Sequence, residues 1–390
     1  MKDILIIATY FPPEGGVGTV RVTKYVKYLK EFNWNPTVVT ISEDNIRNYD
    51  DTLLKDIAED TEIIRLKLDI DKNKKIGDRF YKALRKNIDN IMKEKKYSAV
   101  FITGGPFEPL KIAPYIYKKY KVPYIIDLRD PWKLQKLNTA TRLTALKSII
   151  KKVLIGFSER RVFKNSYAIC TVNDTMTKQY VREYKKLAKK FYTIPNGYDK
   201  SDYCQLKPIQ NKEFTIIYSG KFEVSAGYRN PTNLFKAIKI VNDKGYNVNF
   251  MHIGEEEKKV IETAKREKIE KYCRFVGRKT YKETLQYCKG ADLLVVIGGE
   301  QKNEQTGKIF DYIGCRRPIL VLSNGDTEID NVCDKVPYAY SFRKNDIEGI
   351  ANNIVKTYNS KGKDVDNKEI EEYDRKNLTA KLVKILEEIK

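Results

Sequence analysis

The residues of this chain that could do chemistry are cations set beside glycines. Lys308 follows Thr306 and Gly307 and precedes Ile309, Phe310 and Ile313 at helical spacing; Arg317-Pro318 and the apolar run Ile319 to Leu322 come next. That order reads as a loop, a short helix and a buried strand. Backbone N–H groups at a helix start, with a lysine in the first turn, suit a diphosphate. Asp311, one turn on, is spaced to accept hydrogen bonds from a ribose diol. The competing reading is a plain helix-strand unit whose polar residues are solvated. A second pair of cations, Lys221 and Arg229, flanks the loop after Gly220, where the strand-like run Phe214 to Tyr218 has ended. Cations at such a loop can neutralise a pyrophosphate as its charge develops.

In the first half, Pro123 to Ile126 reads as a strand running into Asp127-Leu128-Arg129-Asp130-Pro131-Trp132. Two acids, a guanidinium and an indole at a strand end suit a site that grips hydroxyls and polarises one of them. Asp130 is the candidate acid. The alternative is an internal Arg129-carboxylate pair that only shapes a turn. Glycines accompany these groups. Gly15, Gly16 and Gly18 follow the apolar run Asp3 to Thr9 and precede a helical segment from Val20 to Leu29, and Gly104-Gly105 end the run Ser98 to Thr103. Ligands of parallel sheets bind at the carboxyl ends of the strands, so both glycine groups are candidate contact points.

The elements that must position these groups alternate along the whole chain. Further strand-like runs are Pro36 to Ile41, Glu62 to Lys67, Ala168 to Val172, Val248 to Gly254, Arg274 to Gly277 and Ala291 to Ile297. Strand and helix in regular alternation specify an α/β class with parallel sheets. A chain of 390 residues is too long for one ordinary core. The turn chemistry of Ile194-Pro195-Asn196-Gly197 divides it into 1–197 and 198–390.

Composition narrows the function. The 6 cysteines are widely spaced and there is 1 histidine, His252, so zinc sites, a disulfide framework and a histidine-dependent triad are not expected. Asp69-Ile70-Asp71 and Asp364-Val365-Asp366 have a metal-like spacing but lie in charged connecting segments and read as solvated turns. The expectation is no metal. No run approaches the ~20 apolar residues of a membrane span. The formal net charge is +22, and residues 1–200 hold 40 Lys and Arg against 23 Asp and Glu, leaving +17 there and +5 in the remainder. The first half therefore faces something anionic: nucleic acid, the inner-leaflet surface of a membrane, or a lipid-phosphate acceptor. No nucleic-acid module or interleaved aromatic-basic platform is present in the sequence.

One segment bears on that choice. Residues 139–163 have helical periodicity, with Leu143, Leu146, Ile150, Val153, Leu154 and Phe157 on one face. Arg142, Lys147, Lys151, Lys152, Arg160 and Arg161 surround it and Glu159 is the only acid. Such a helix can lie on an anionic membrane; it can equally turn its stripe to a core.

The run TGKIFDYIGCRRPIL at 306–320 resembles the donor-binding segment of glycosyltransferase family four, retaining sugar transferases of the GT-B fold. The match lies in Gly307, Lys308, Phe310, Asp311, Tyr312, Gly314 and Arg317 to Leu320, and 193–199 is similar to that family's interdomain hinge. The family has two glutamates eight positions apart; here Asp311 holds the second place and Asn303 the first, with Glu300 and Glu304 nearby. The resemblance implies two Rossmann-like domains facing across a cleft, with the acceptor on the first domain and a nucleotide-diphosphate sugar on the second. It implies that the final helix, Leu378 to Ile389, returns to the first domain. It also implies donor contacts from Gly15, Gly16, Gly18, Gly220, Lys221, Arg278, Thr306, Gly307 and Asp311, with Arg229 and Lys308 stabilising the diphosphate. Gly104, Gly105, Arg129 and the acid Asp130 fall on the acceptor side. The implied activity is transfer from a UDP-sugar to a glycan or lipid-linked acceptor in bacterial cell-surface polysaccharide synthesis, in the cytoplasm or at the inner face of the membrane. No cofactor is implied, since the nucleotide sugar is a substrate. A GT-B epimerase acting on a UDP-sugar and a basic nucleic-acid binder are the alternatives.

Overall fold

The structure, a computed structural model, describes the chain except for residues 70–73, 135–141, 224–228, 301, 303–304, 361–368 and 390, together with the side chains at 17, 142–148 and 369. Asn303, Glu304, Asp71, Asp364 and Asp366 therefore lie outside the described residues, as do Thr139 and the side chains of Arg142, Leu143, Leu146 and Lys147. The chain divides into two compact units, Met1–Pro195 with Arg375–Lys390, and Asn196–Asp374.

In the first unit the strands, numbered in chain order, are β1 (Lys2–Ile7), β2 (Trp34–Ile41), β3 (Glu62–Leu66), β4 (Ala99–Thr103), β5 (Tyr124–Leu128), β6 (Ala168–Thr171) and β7 (Phe191–Thr193). They form one sheet in the order β3-β2-β1-β4-β5-β6-β7, and every pairing is parallel. The inner strands are rich in Ile, and β4, β5 and Ile4 to Ile7 of β1 are wholly buried because helices cover both faces. The helices are α1 (Val17–Leu29), α2 (Ile76–Glu94), α3 (Ala113–Tyr120), α4 (Arg142–Lys164) and α5 (Asp174–Glu183). The C-terminal helix, Arg375–Glu387, packs on this unit through Leu378, Leu382 and Leu386.

The second unit holds α6 (Lys200–Cys204), β8 (Phe214–Ser219), α7 (Thr232–Asp243), β9 (Val248–Ile253), α8 (Lys258–Arg266), β10 (Cys273–Phe275), α9 (Tyr281–Lys289) and β11 (Leu293–Ile297). There follow α10 (Lys308–Cys315), β12 (Ile319–Ser323), α11 (Glu328–Cys333), β13 (Ala339–Arg343) and α12 (Ile347–Asn359). Its strands pair in parallel in the order β10-β9-β8-β11-β12-β13. α10 ends at Cys315, with Arg316 left-handed at φ 53°, two residues before the proline that the sequence suggests as the stop.

Each sheet reverses its winding once, between β1 and β4 in the first and between β8 and β11 in the second. A reversal splays the two following loops apart and leaves a crevice at the strands' carboxyl ends. The loops concerned carry Gly15 to Gly18 and Gly104-Gly105 in the first unit, and Gly220-Lys221 and the approach to Lys308 in the second.

A buried ion pair fastens the first of these crevices. Arg21 on α1 and Asp127 on β5 meet at 2.8 Å with both side chains fully buried. The guanidinium also donates to the Ile194 and Pro195 carbonyls, and Thr103 at the end of β4 donates to the carboxylate. Removing one charge strands the other in a medium of low dielectric. Asp127→Asn is expected to lower the stability of the first unit by about 3 to 5 kcal/mol. Urea unfolding followed by tryptophan fluorescence measures it, since both tryptophans of the chain, Trp34 and Trp132, lie in this unit.

Candidate functional site

At the reversal point of the first sheet, Arg129 organises the surroundings. Its Nε donates to the Gly104 carbonyl at 2.9 Å and its Nη2 to the Gly105 carbonyl at 2.6 Å. Burial pulls its pKa down from the ordinary value. A Cβ on Gly18 would stand 2.3 Å from its Nη1, so the absence of a side chain there lets α1 approach the guanidinium. Gly15, Gly16, Gly18, Gly104, Gly105, Arg129 and Asp130 thus belong to one region of the first unit. Not all of them offer a hand to a ligand. The Gly15 N–H is already spent on the Asn48 carbonyl at 2.6 Å. Asp130 is exposed with Arg129 as its charged neighbour. Asp127, the other acid of this run, is consumed by Arg21, so the internal pair is between Asp127 and Arg21 and does not involve Arg129.

Trp132 has a packing role. It is buried and stacks on Phe107 with ring centroids 5.4 Å apart and planes 5° from parallel. Its backbone N–H donates to the Tyr180 hydroxyl, which in turn donates to Glu159. Glu159 also accepts from the Lys133 N–H and the Tyr184 hydroxyl, and burial raises its pKa. The acid of α4 is therefore a buried anchor for the loop that carries Arg129 and Asp130.

At the reversal point of the second sheet the cations gather around Gly220, whose φ of 88° favours a residue without a side chain. Lys308, the first residue of α10, reaches back across this loop. Its Nζ donates to the Tyr218 hydroxyl at 2.7 Å, and a Cβ on Gly220 would stand 2.8 Å from its Cε. Thr306 and the N-cap residue Gly307 are half-buried just before it. Lys221 pairs with Glu255 at 2.6 Å, and Arg278 stands 4.0 Å from the same carboxylate, whose pKa is lowered chiefly by Lys221. Arg229 pairs with Glu223 at 3.0 Å, while Glu257 accepts from the Phe222 and Glu223 backbone N–H groups.

Lys221, Arg278 and Lys308 therefore surround one loop, Arg229 is held at the loop's far end by Glu223, and Asp311 stands apart. Its carboxylate accepts from the Tyr281 hydroxyl at 3.0 Å. A ribose diol at Asp311 would share that carboxylate with Tyr281. The acids Glu223, Glu255 and Glu257 were not singled out from the sequence, and no motif marks them. A cavity of about 390 Å³ lined by Asn230, Thr232, Asn233, Ile297, Leu322 and Lys344 opens beyond Arg229, but it includes neither Gly220 nor Lys308. The cations around Gly220, not this cavity, mark the candidate site.

His252 holds the loop from beneath. It is buried at the end of β9, and its Nε2 donates to the Gly220 carbonyl at 2.7 Å, since a carbonyl can only accept. Burial is the main cause that depresses its pKa, and Lys308 adds to it.

The comparisons with known proteins bear on this second unit directly. Residues 199–375 match the family model described as glycosyl transferases group 1. The second unit is a domain of that family. Among curated proteins, none matches the sequence. Solved structures resemble the whole chain. Sucrose-phosphate synthase from Thermosynechococcus elongatus superposes with a TM-score of 0.70 at 12% identity, covering 99% of this chain and 98% of that one. The apo lipopolysaccharide outer core galactosyltransferase WaaB gives 0.61 at 13%, covering 99% of both. A UDP-GlcNAc 2-epimerase from Methanocaldococcus jannaschii gives 0.60 at 11%, again covering 99% of both. At such identities the likeness is one of fold, and the fold is GT-B.

His252 provides a test of the loop's support. A histidine whose folded pKa lies below the unfolded value of about 6.5 favours the folded state above pH 6.5. That contribution is lost as pH falls from there through the folded pKa, because the unfolded chain takes the proton first. The protection of the β8 and β9 amides against hydrogen exchange, taken relative to their intrinsic rates at each pH, is expected to fall over this interval. In His252→Gln, whose amide keeps the bond to Gly220 without titrating, that interval is expected to be flat.

Proposed function

We propose that the chain is a retaining glycosyltransferase that moves a hexose from a nucleotide-diphosphate sugar, with UDP as the favoured nucleotide, to a glycan or lipid-linked acceptor in bacterial cell-surface polysaccharide synthesis. The observation that carries this reading is the reach of Lys308 over Gly220, which sets an ammonium group across the loop flanked by Lys221 and Arg278. Such a loop at a reversal point is where a diphosphate would be held. The family match of the second unit and the sugar-nucleotide enzymes among the structural neighbours agree with it.

On this reading the chain's own cations do the work of a leaving-group clamp. Lys221, Arg229 and Lys308 neutralise the charge that grows on the diphosphate as its bond to the anomeric carbon breaks. The acceptor hydroxyl attacks from the face the diphosphate leaves, and its proton passes to a departing phosphate oxygen, so no side chain has to become covalently attached. Asp130 polarises the hydroxyl, and Arg129 with the Gly104 and Gly105 carbonyls shapes the acceptor side. Glu223 and Glu255 keep two of the cations in place before the donor arrives, and the phosphate oxygens then replace the carboxylates. Three protein cations acting together supply the charge that a metal would otherwise bring, so the reading is a metal-independent one.

The epimerase likeness favours a second reading less well. Epimerisation needs proton transfers at a sugar carbon, and the single histidine of the chain is buried against the Gly220 carbonyl.

A screen of nucleotide sugars with membrane extracts as acceptor, read by product mass, is expected to give a glycosylated product; conversion of a UDP-sugar into its epimer would favour the second reading. Lys308→Ala and Arg229→Ala are each expected to cut kcat/KM about 100-fold with an unchanged melting temperature. Normal turnover in both would remove these residues from the site.

A further inference from the structure

Among its described side chains, α4 has one apolar face that is covered and a second that is exposed. Val162 and Phe163 are buried in the first unit, and Glu159 beside them is fully buried with Lys133, Tyr180 and Tyr184 as partners. On the outer side, Ile149, Ile150, Val153, Leu154 and Phe157 are 52 to 71% exposed. At 100° per residue these five span an arc of about 140° centred on Phe157. Lys151 and Lys152 fall at its two edges, and Arg160, Arg161 and Lys164 close its C-terminal end; all five cations are exposed. Five large apolar side chains contiguous on one helix face exceed what a soluble surface normally shows.

We infer that this face is where the protein rests on an anionic bilayer surface. Charge decides the occupant. Residues 142–164 contain seven Lys and Arg and one acid, and that acid, Glu159, is buried and already bonded. A second copy of the chain docking through the same face would set like charge against like charge with no exposed carboxylate on the helix to offset it. A nucleic acid would meet the cations but leave four aliphatic side chains in water. Acyl chains bury the aliphatic arc and Phe157, while headgroup phosphates meet Lys151 and Lys152 at its edges and the three cations at its end. Among the described residues no helix is long and apolar enough to cross a membrane, so this contact is one of lying on the surface.

Through Glu159 the docked helix also fixes the loop of Arg129 and Asp130, because Glu159 binds Lys133 directly and Trp132 by way of Tyr180. An acceptor held at that loop is then one whose lipid tail lies in the bilayer. This last step rests on the proposed transferase reading; the docking itself does not.

The test uses the full chain and vesicles that contain neither sugar donor nor acceptor, so transfer plays no part in the readout. Co-sedimentation with vesicles of phosphatidylcholine and phosphatidylglycerol in equal parts is compared with phosphatidylcholine alone. Retention on the anionic vesicles is expected, with little on the neutral ones. The double variants Leu154→Asp with Phe157→Asp, and Lys151→Glu with Lys152→Glu, are each expected to lower it at least about tenfold. All four side chains are exposed, so the melting temperature stays unchanged. Absence of retention by the wild-type protein, equal retention on neutral vesicles, or full retention by folded variants would overturn the inference. A wild-type dimer in solution that Leu154→Asp with Phe157→Asp dissociates, without vesicle retention, would give the face to a second copy instead.

Discussion

The first unit depends on a salt bridge that nothing at its surface reveals. Arg21 and Asp127 are both fully buried, and between them they touch α1, β5, the end of β4 and the carbonyls of Ile194 and Pro195. Burying two charges costs several kcal/mol each, and the cost is recovered only when every donor and lone pair finds a partner. Here the guanidinium forks onto the carboxylate and gives two further donors to the Ile194 and Pro195 carbonyls. Such a pair adds less to stability than an apolar core of equal volume would, but it fixes register. It determines how α1 leaves the glycine loop and where β5 stops. Arg129, two residues past Asp127, is thereby delivered to the Gly104 and Gly105 carbonyls.

The second unit solves the same positioning problem with neutral groups. Gly220 has a backbone conformation few residues tolerate, and its carbonyl is held from below by an uncharged imidazole. Lys308 crosses above it to the Tyr218 hydroxyl. A protonated His252 would place a second positive charge next to Lys308, so the depressed pKa of the imidazole and the position of the ammonium support each other. Gly220 is thus flanked from both sides, an arrangement that the proposed clamp for a developing charge would require.

The sequence made the inner strands visible because parallel strands covered on both faces must be continuous apolar runs. Ile4 to Ile7 and Leu293 to Ile297 are of that kind. β13, Ala-Tyr-Ser-Phe-Arg at the sheet edge, is half exposed and alternates, and it was not distinguished from loop. The glycine loops and the cations after them were legible because their types and spacing are tied to backbone geometry. Their acidic partners were not. Glu223 lies six residues from Arg229 across a loop, and Glu255 reaches Lys221 from the end of a neighbouring strand, so only the fold brings them together. Arg21 was the harder omission, since an arginine in a helix of valines and tyrosines reads as solvated until the strand behind it is known. For α4 the sequence left open whether its stripe faces a core or a membrane. The structure has Val153, Leu154 and Phe157 exposed, whereas Leu143 and Leu146 lie outside the described side chains.

A net charge of +22 is therefore not one undivided pool. At the carboxyl edge of the second sheet the cations are held by carboxylates of their own unit. Lys221 and Arg229 are thus pre-oriented, and on the proposed reading a more highly charged diphosphate would displace a single carboxylate from each at little reorganisation cost. On α4 the helix's only acid is turned inward, and its exposed cations border hydrocarbon. The first arrangement exchanges one anion for another at defined atoms. The second, on the inference drawn from α4, would attract any surface dense in negative charge and depend on the apolar arc to select one with an interior. A basic protein whose cations were all of the first kind would carry little net charge; residues 142–164, with seven Lys and Arg against one acid, contribute +6 to the +17 of the first 200 residues.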